Sequence, residues 1–253
     1  MGRYHTGTFP AVKPPRKVYM DVLRVIATVF VICVHTVALA KTTAAPGTLL
    51  FRVLEVFNYT FLSCNLFFVM ISGALLLPVK GERCRDFFAR RFIRVLIPLV
   101  VYYNLYVCAK EGIGRLAPSQ WGLMLQRFFI GPPVEAPHLW LVYVIIWLYV
   151  LTPFLRYLVQ NIPDPVMNGV MLVIFLLNAY VTYVPLFGVT PPAVLSGIVN
   201  SYAGAFLLGY YLANRAGKRA ENFFLAAGLV SYLITCYVIL FHGWYDDYIY
   251  NNA

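Results

Sequence analysis

The sequence predicts an all-α fold, a polytopic membrane helix bundle of about seven transmembrane helices. Three observations predict it. The 253 residues are 61% hydrophobic and 12% charged, with a mean hydropathy of +0.73, whereas a soluble domain is about 45–50% apolar and about 25% charged. A soluble core of this size has no means of hiding so much apolar surface, and a disordered chain carries far less of it. The apolar residues also gather in seven stretches near the ~20 residues that cross a bilayer. No period-2 alternation separated by turns runs along the chain, which argues against a β-barrel.

The spans follow in order within a single domain, residues 1–253, behind a basic tail at 1–17. The first, Val18–Ala40, carries Asp21 and Arg24 near its start and has no small-residue cleavage site, so it is not a signal peptide. The second, Val56–Leu77, stops at Pro78, which cannot continue a helix. Phe92–Ala109 is the third. In the long connection Lys110–Pro137, residues Trp121, Met124, Leu125, Phe128 and Phe129 recur at helical spacing, the pattern of an amphipathic helix lying in the membrane interface. Spans four to seven are Leu139–Val159, Val166–Phe187, Leu195–Ala213 and Phe223–Phe241. The chain contains no internal repeat and no low-complexity tract.

The net charge of +10 has a topological origin. Fourteen lysines and arginines fall on the side of the N-terminal tail, and five (Lys41, Arg52, Lys110, Arg115, Arg127) on the other. The positive-inside rule then puts the N-terminus in the cytoplasm, and seven spans put the C-terminus outside. The basic excess is an orientation signal and a contact for anionic lipid, not a nucleic-acid surface. Five scattered cysteines, none in a CxxC pair, give neither a disulfide framework nor a metal site. The opening MGRYHT matches a myristoylation pattern, which a chain already held by seven spans does not need.

Ionisable groups inside hydrocarbon are costly and point to function. His35 lies in the run VFVICVHTVALA, and Arg24 precedes it by eleven residues, which returns to within about 20° of the same helix face and about 16 Å along the axis. Asp21 is about 40° off that face. Span one thus carries a carboxylate and a guanidinium at its cytoplasmic edge and an imidazole, suited to proton transfer near neutral pH, near mid-membrane. Read blandly, Arg24 snorkels and His35 bonds a neighbouring helix. In FFARRFIRVLIP, Arg91 and Arg94 share a face and suit a phosphorylated ligand, though juxtamembrane arginines are also the ordinary orientation signal. Ser72 and Gly73 read as close-packing small residues. His138 and Trp140 open span four and read as an aromatic belt. Asp246 and Asp247, among aromatics, read as a sugar contact or a solvated tail.

Four strings together resemble acyltransferase family 3, most of all the branch that O-acetylates surface polysaccharides, the WecH-like enzymes included. MDVLRVIATVFVICVHT (20–36) resembles the family's opening helix, in which ten residues separate an arginine from a histidine. NLFFVMISGALLLP (65–78), FFARRFIRVLIP (87–98) and HLWLVYVIIWLYVLTPFLR (138–156) resemble its second, third and "HLW" helices, in order and spacing. Val25 stands where the family often has glycine, and Cys64–Asn65 where Val-Pro is common.

The resemblance implies a membrane O-acyltransferase of the bacterial cytoplasmic membrane, moving an acetyl group from acetyl-CoA to a hydroxyl of a surface polysaccharide or its lipid-linked precursor. It implies His35 as catalytic base, Arg24, Arg91 and Arg94 on the CoA phosphates, and Asp21, Ser72, His138, Trp140 and Tyr143 in support; the oxyanion donor is not assigned, and Ser72 and Tyr143 are the side chains able to serve. No cofactor is permanently bound on this reading. Direct transfer and a covalent intermediate both stay open. Members usually have about ten spans, so this chain reads as a version lacking the last three helices. Two other readings stand beside it: a transporter or flippase of lipid-linked sugars with His35 and Asp21 in a proton relay, and an inactive, shortened acyltransferase.

Overall fold

The computed structural model describes residues 17–79, 81–112, 114, 117–132 and 136–242. The basic tail, the MGRYHT opening and Asp246–Asp247 lie outside them. Among the described residues all regular structure is helical: α1 Val18–Lys41, α2 Leu49–Leu76, α3 Cys84–Glu111, α4 Trp121–Ile130, α5 Trp140–Asn161, α6 Asp164–Tyr183, α7 Ala193–Asn200, α8 Ala203–Asn214 and α9 Lys218–His242. Six helices among the described residues are long and apolar enough to cross a membrane: α1, α2, α3, α5, α6 with its 3₁₀ extension to Phe187, and α9. The bent pair α7–α8 brings the count to seven.

The helices run past the apolar stretches at their polar ends. α2 starts at Leu49 because the Thr48 hydroxyl accepts the backbone N–H of Phe51 at 3.2 Å, an N-cap, so Arg52 and Glu55 are helical. α3 starts at Cys84, so the whole arginine cluster is helical. Hydropathy registers the part of a helix that meets lipid and misses the polar turns that project beyond it.

One expected element differs. Leu195–Ala213 is not a straight span: α7 and α8 meet at a 46° bend. Tyr202 adopts a left-handed backbone (φ 59°), which interrupts the helical ladder. The Ser201 hydroxyl accepts the Ala203 N–H at 3.4 Å beside the break.

α2 is the centre of the bundle. One side packs along α1, and the other crosses α8. That crossing is a contact of backbones: a Cβ on Gly73 would strike the Phe206 backbone, and one on Gly209 would strike the Met70 backbone. Small residues let helices approach to this separation in lipid, where packing drives association. The buried core spreads from there through Val69, Leu76, Leu77, Phe206, Leu207 and Tyr210 to Phe87 of α3 and Leu148 of α5. A second cluster, Met20 with Ile71 and Ala74, holds the start of α1 to the end of α2.

Contacts between helix ends give the bundle two distinct poles. At the basic pole, Lys17 donates to Ala213 O at 3.2 Å and Arg215 to Asp164 Oδ1 at 2.6 Å. At the opposite pole, Lys41 pairs with the buried Glu55, and Arg52 donates to Leu240 O at 2.7 Å, holding α1, α2 and α9 together. α4 sits at this second pole as the expected amphipathic helix. Trp121, Leu125 and Phe129 face outward, while Phe128 turns inward against Tyr103 (5.3 Å between ring centroids) and Tyr143 (6.0 Å). Arg127 ties α4 to Glu111 at 3.1 Å.

Candidate functional site

At the pole opposite the arginines, His35 of α1 meets His138, which lies in the 3₁₀ turn Pro137–Leu139 leading into α5. The two rings stand edge to face, 6.0 Å between centroids. Tyr106 of α3 also stands edge to face against His138, at 5.2 Å. Three helices that are separate in sequence therefore bring a histidine pair and a phenol ring to one point. α1 packs chiefly along α2, and the ring contact of His35 reaches across to the start of α5.

His35 falls within two turns of the end of α1 at Lys41, nearer that pole than the expected mid-membrane depth. Its side chain is not enclosed by neighbouring helices. Trp140 stacks elsewhere. Its indole packs on Tyr202 at the helix break (5.6 Å), which fixes the start of α8 against the start of α5.

Desolvation among these groups, followed by the facing His35, pushes the His138 imidazole below the ordinary histidine range. The neutral ring, with one N–H donor and one acceptor nitrogen, is the favoured form at neutral pH. The folded state then binds fewer protons than the unfolded state once pH falls into that range, so acidification costs stability. In the His35→Asn variant, His138 titrates at higher pH than in the parent, closer to an ordinary histidine. Histidine side-chain NMR follows this directly, and an unmoved titration rejects electrostatic coupling of the pair.

The remaining predicted residues spread toward the basic pole. Arg24 is held by Asp21 on its own helix at 2.8 Å (side-chain exposures 44% and 29%). Neither Arg91 nor Arg94 forms an ion pair with a carboxylate among the described residues. Arg91 is half-buried, within electrostatic reach of Tyr149 on α5, and Arg94 is exposed. Arg90, by contrast, is tied to Glu82 at 2.7 Å.

Ser72 lies in the last turns of α2, at the arginine pole. Its hydroxyl donates to Phe68 O at 2.8 Å. Tyr143 is at the histidine pole, and its hydroxyl donates to Phe128 O at 2.8 Å, tethering α4. Each expected oxyanion donor thus already spends its proton on a backbone carbonyl.

The structure adds groups that the sequence reading passed over. Tyr106 was one more aromatic in an apolar span. Arg156, counted as a connection residue, is only 8% exposed. It accompanies Leu148, Thr152 and Val159, all buried, on one face of α5. That 4-4-3 spacing was the available signal, an arginine in phase with a core stripe. Glu55 lies one residue before the apolar stretch that begins at Val56, outside what hydropathy registers.

No curated protein and no solved structure matches the chain. The model of acyltransferase family 3, described as an acyltransferase domain, matches residues 17–253. The match begins where α1 begins and takes in the histidine pair, the arginine turns and every helix of the bundle, so this chain belongs to acyltransferase family 3 and is a multi-pass membrane acyltransferase.

Proposed function

We propose that the chain moves an acyl group, acetyl in the first instance, from acyl-CoA at the arginine pole to a hydroxyl of a surface polysaccharide or its lipid-linked precursor at the histidine pole. The arginine pole faces the cytoplasm and the membrane is the bacterial cytoplasmic membrane. One observation carries the reading: His35 meets a second histidine at the pole opposite Arg91 and Arg94, two arginines without a carboxylate partner among the described residues. An anionic donor is thereby held at one end and the proton chemistry placed at the other.

The donor's phosphates sit on Arg91 and Arg94, with Arg24 contributing on release from Asp21. Guanidinium is the group that pairs best with phosphate oxygens. The pantetheine arm follows the face of α1 that carries both Arg24 and His35, about 16 Å along the helix. His35 takes the proton of the acceptor hydroxyl as the oxygen attacks the thioester carbonyl. The tetrahedral oxyanion then collapses, the carbon–sulfur bond breaks, and the imidazolium of His35 returns the proton to the CoA thiolate. Neutral His138 is the adjacent N–H donor for that oxyanion, in place of Ser72 and Tyr143, whose protons are committed elsewhere.

The α7–α8 break favours a second reading, since interrupted helices also build transporter sites. Vesicles containing the purified chain and radiolabelled acetyl-CoA discriminate between the two. CoA-dependent acetylation of an enclosed acceptor supports transfer, transport of a labelled lipid-linked sugar without acetylation supports the second reading, and neither marks an inactive chain. In the active chain, Arg91→Ala raises the apparent KM for acetyl-CoA about ten- to a hundredfold, the worth of one charge-assisted hydrogen bond. An unchanged KM rejects the phosphate site.

A further inference from the structure

The connection between α2 and α3 is held in place from α5. Arg156 Nε donates to Leu76 O at 2.8 Å, at the C-terminus of α2. Its Nη1 pairs with Glu82 Oε2 at 2.9 Å. The guanidinium carbon lies over the fully buried Phe87 ring, 4.6 Å from its centroid. One turn further along α5, Gln160 donates to Leu77 O and Val79 O, each at 3.3 Å. Asn214 of α8 takes Ala74 O at 3.2 Å. Side chains of other helices thus satisfy the last carbonyls of α2, and a cation there is favoured by the helix dipole.

Glu82 extends this network. Its second oxygen, Oε1, accepts from Arg90 Nη2 at 2.7 Å, and its side chain is only 13% exposed. One carboxylate therefore bridges two arginines, Arg156 of α5 and Arg90 of α3. Arg156 Nη2 is enclosed and has no hydrogen-bond partner, so this guanidinium sits where a ligand does not reach it. A buried pair of this kind is weak evidence of stability, since apolar residues of the same volume often do as well. The network does fix geometry: the depth and rotation of the first two turns of α3. Arg91 directly follows Arg90, and Arg94 lies one turn on.

We propose that Arg156, with Glu82 as its bridge, is a positioning residue that aims Arg91 and Arg94 at the phosphates of the acyl donor. The proposal rests on the donor-site reading above. The charges divide cleanly: Glu82 holds Arg90 and Arg156, and the next two arginines along α3 are left for the ligand. Misplacement by about an ångström at a binding group is enough to cost a large factor in rate or affinity.

The experiment compares acetyl-CoA with S-acetyl-pantetheine, which carries no phosphate, as donors for the full chain in lipid. Arg156→Gln raises KM for acetyl-CoA about tenfold, leaves kcat within about twofold, and does not change kcat/KM for S-acetyl-pantetheine. Arg156→Lys does not rescue, because an ammonium is unable to span Leu76 O and Glu82 together. Where Arg156→Gln fails to assemble, Glu82→Gln, nearly isosteric, is expected to show the same split. Titration of CoA itself into purified chain reads the same tenfold loss without turnover. Equal losses with both donors, or none with either, overturn the positioning role. A parent chain that binds pantetheine as tightly as CoA overturns the donor-site reading as well, and that outcome is visible before any variant is made.

Discussion

Replacing His35 by alanine abolishes acyl transfer and leaves the bundle assembled. The first half follows from the chemistry. A sugar hydroxyl is a poor nucleophile until its proton is removed, and a positioned base contributes about 10²–10⁴-fold. The second half follows from the packing of α1. That helix is held by Met20 and Leu23 against Ile71 and Ala74, and by the Lys41–Glu55 pair at its other end. His35 is exposed and contributes a ring contact with His138 to neither anchor. The measurement is the initial acetylation rate at saturating donor, beside the thermal midpoint of the same sample. A rate above about one tenth of the parent's removes His35 from the base role, since even the low end of the expected range is larger. A drop in midpoint that parallels the loss of rate assigns His35 to structure instead. His138→Ala, by contrast, is expected to lower the rate while leaving His35, the proposed base, in place.

How much of this was legible beforehand depended on whether the signal was local. Apolar length is local, so the spans were readable, and so was the amphipathic α4 from its helical repeat. Arg24 and His35 share one helix, and a period of 3.6 residues per turn was enough to put them on one face. The His35–His138 contact was not readable. It joins residues about a hundred positions apart, and His138 alone has the composition of an aromatic belt. Arg156 was hidden differently: positive charge near a span end is what orientation requires, and charge counting has no way to separate a solvated arginine from one enclosed over Phe87. The α7–α8 break escaped because a single left-handed residue, Tyr202, leaves hydropathy untouched. Family resemblance gives the order of the motifs, and the backbone contact of α2 with α8 gives the reason Gly73 belongs to one of them.

That reason makes Gly73 the most sensitive position for assembly. Gly73→Ala destabilises the bundle, and Gly73→Leu prevents it from assembling. The atoms that a new Cβ meets are the carbonyl, C and Cα of Phe206, backbone rather than the movable end of a side chain. Relief therefore requires the whole of α8 to withdraw. Overpacking a core costs about 1–3 kcal/mol where side chains are able to adjust, and the alanine variant belongs at or above the top of that range. Withdrawal also thins the contacts of Val69, Leu76, Phe206 and Leu207, each now buried, in a medium where packing itself drives helix association. Gly209→Ala, blocked by the Met70 backbone, behaves alike. Two glycines calibrate the measurement. Gly204→Ala meets the Ile174 Cγ2 methyl, a side-chain atom rather than backbone, and Gly228→Ala on α9 meets open space. The first costs less than Gly73→Ala, because one side chain rather than a whole helix has to shift, and the second is neutral or gains up to about 1 kcal/mol from helix propensity. Thermal midpoints of the four alanine variants in one lipid or detergent give the order directly. A Gly73→Ala midpoint equal to that of Gly228→Ala would show that the two helices do not cross at this separation. The consequence reaches the histidine pole too, because α8 carries the break at Tyr202 on which Trp140 rests, two residues from His138. A Gly73→Ala chain that survives thus transfers acyl groups more slowly than its residual stability alone predicts, since the second histidine has lost the support that aims it.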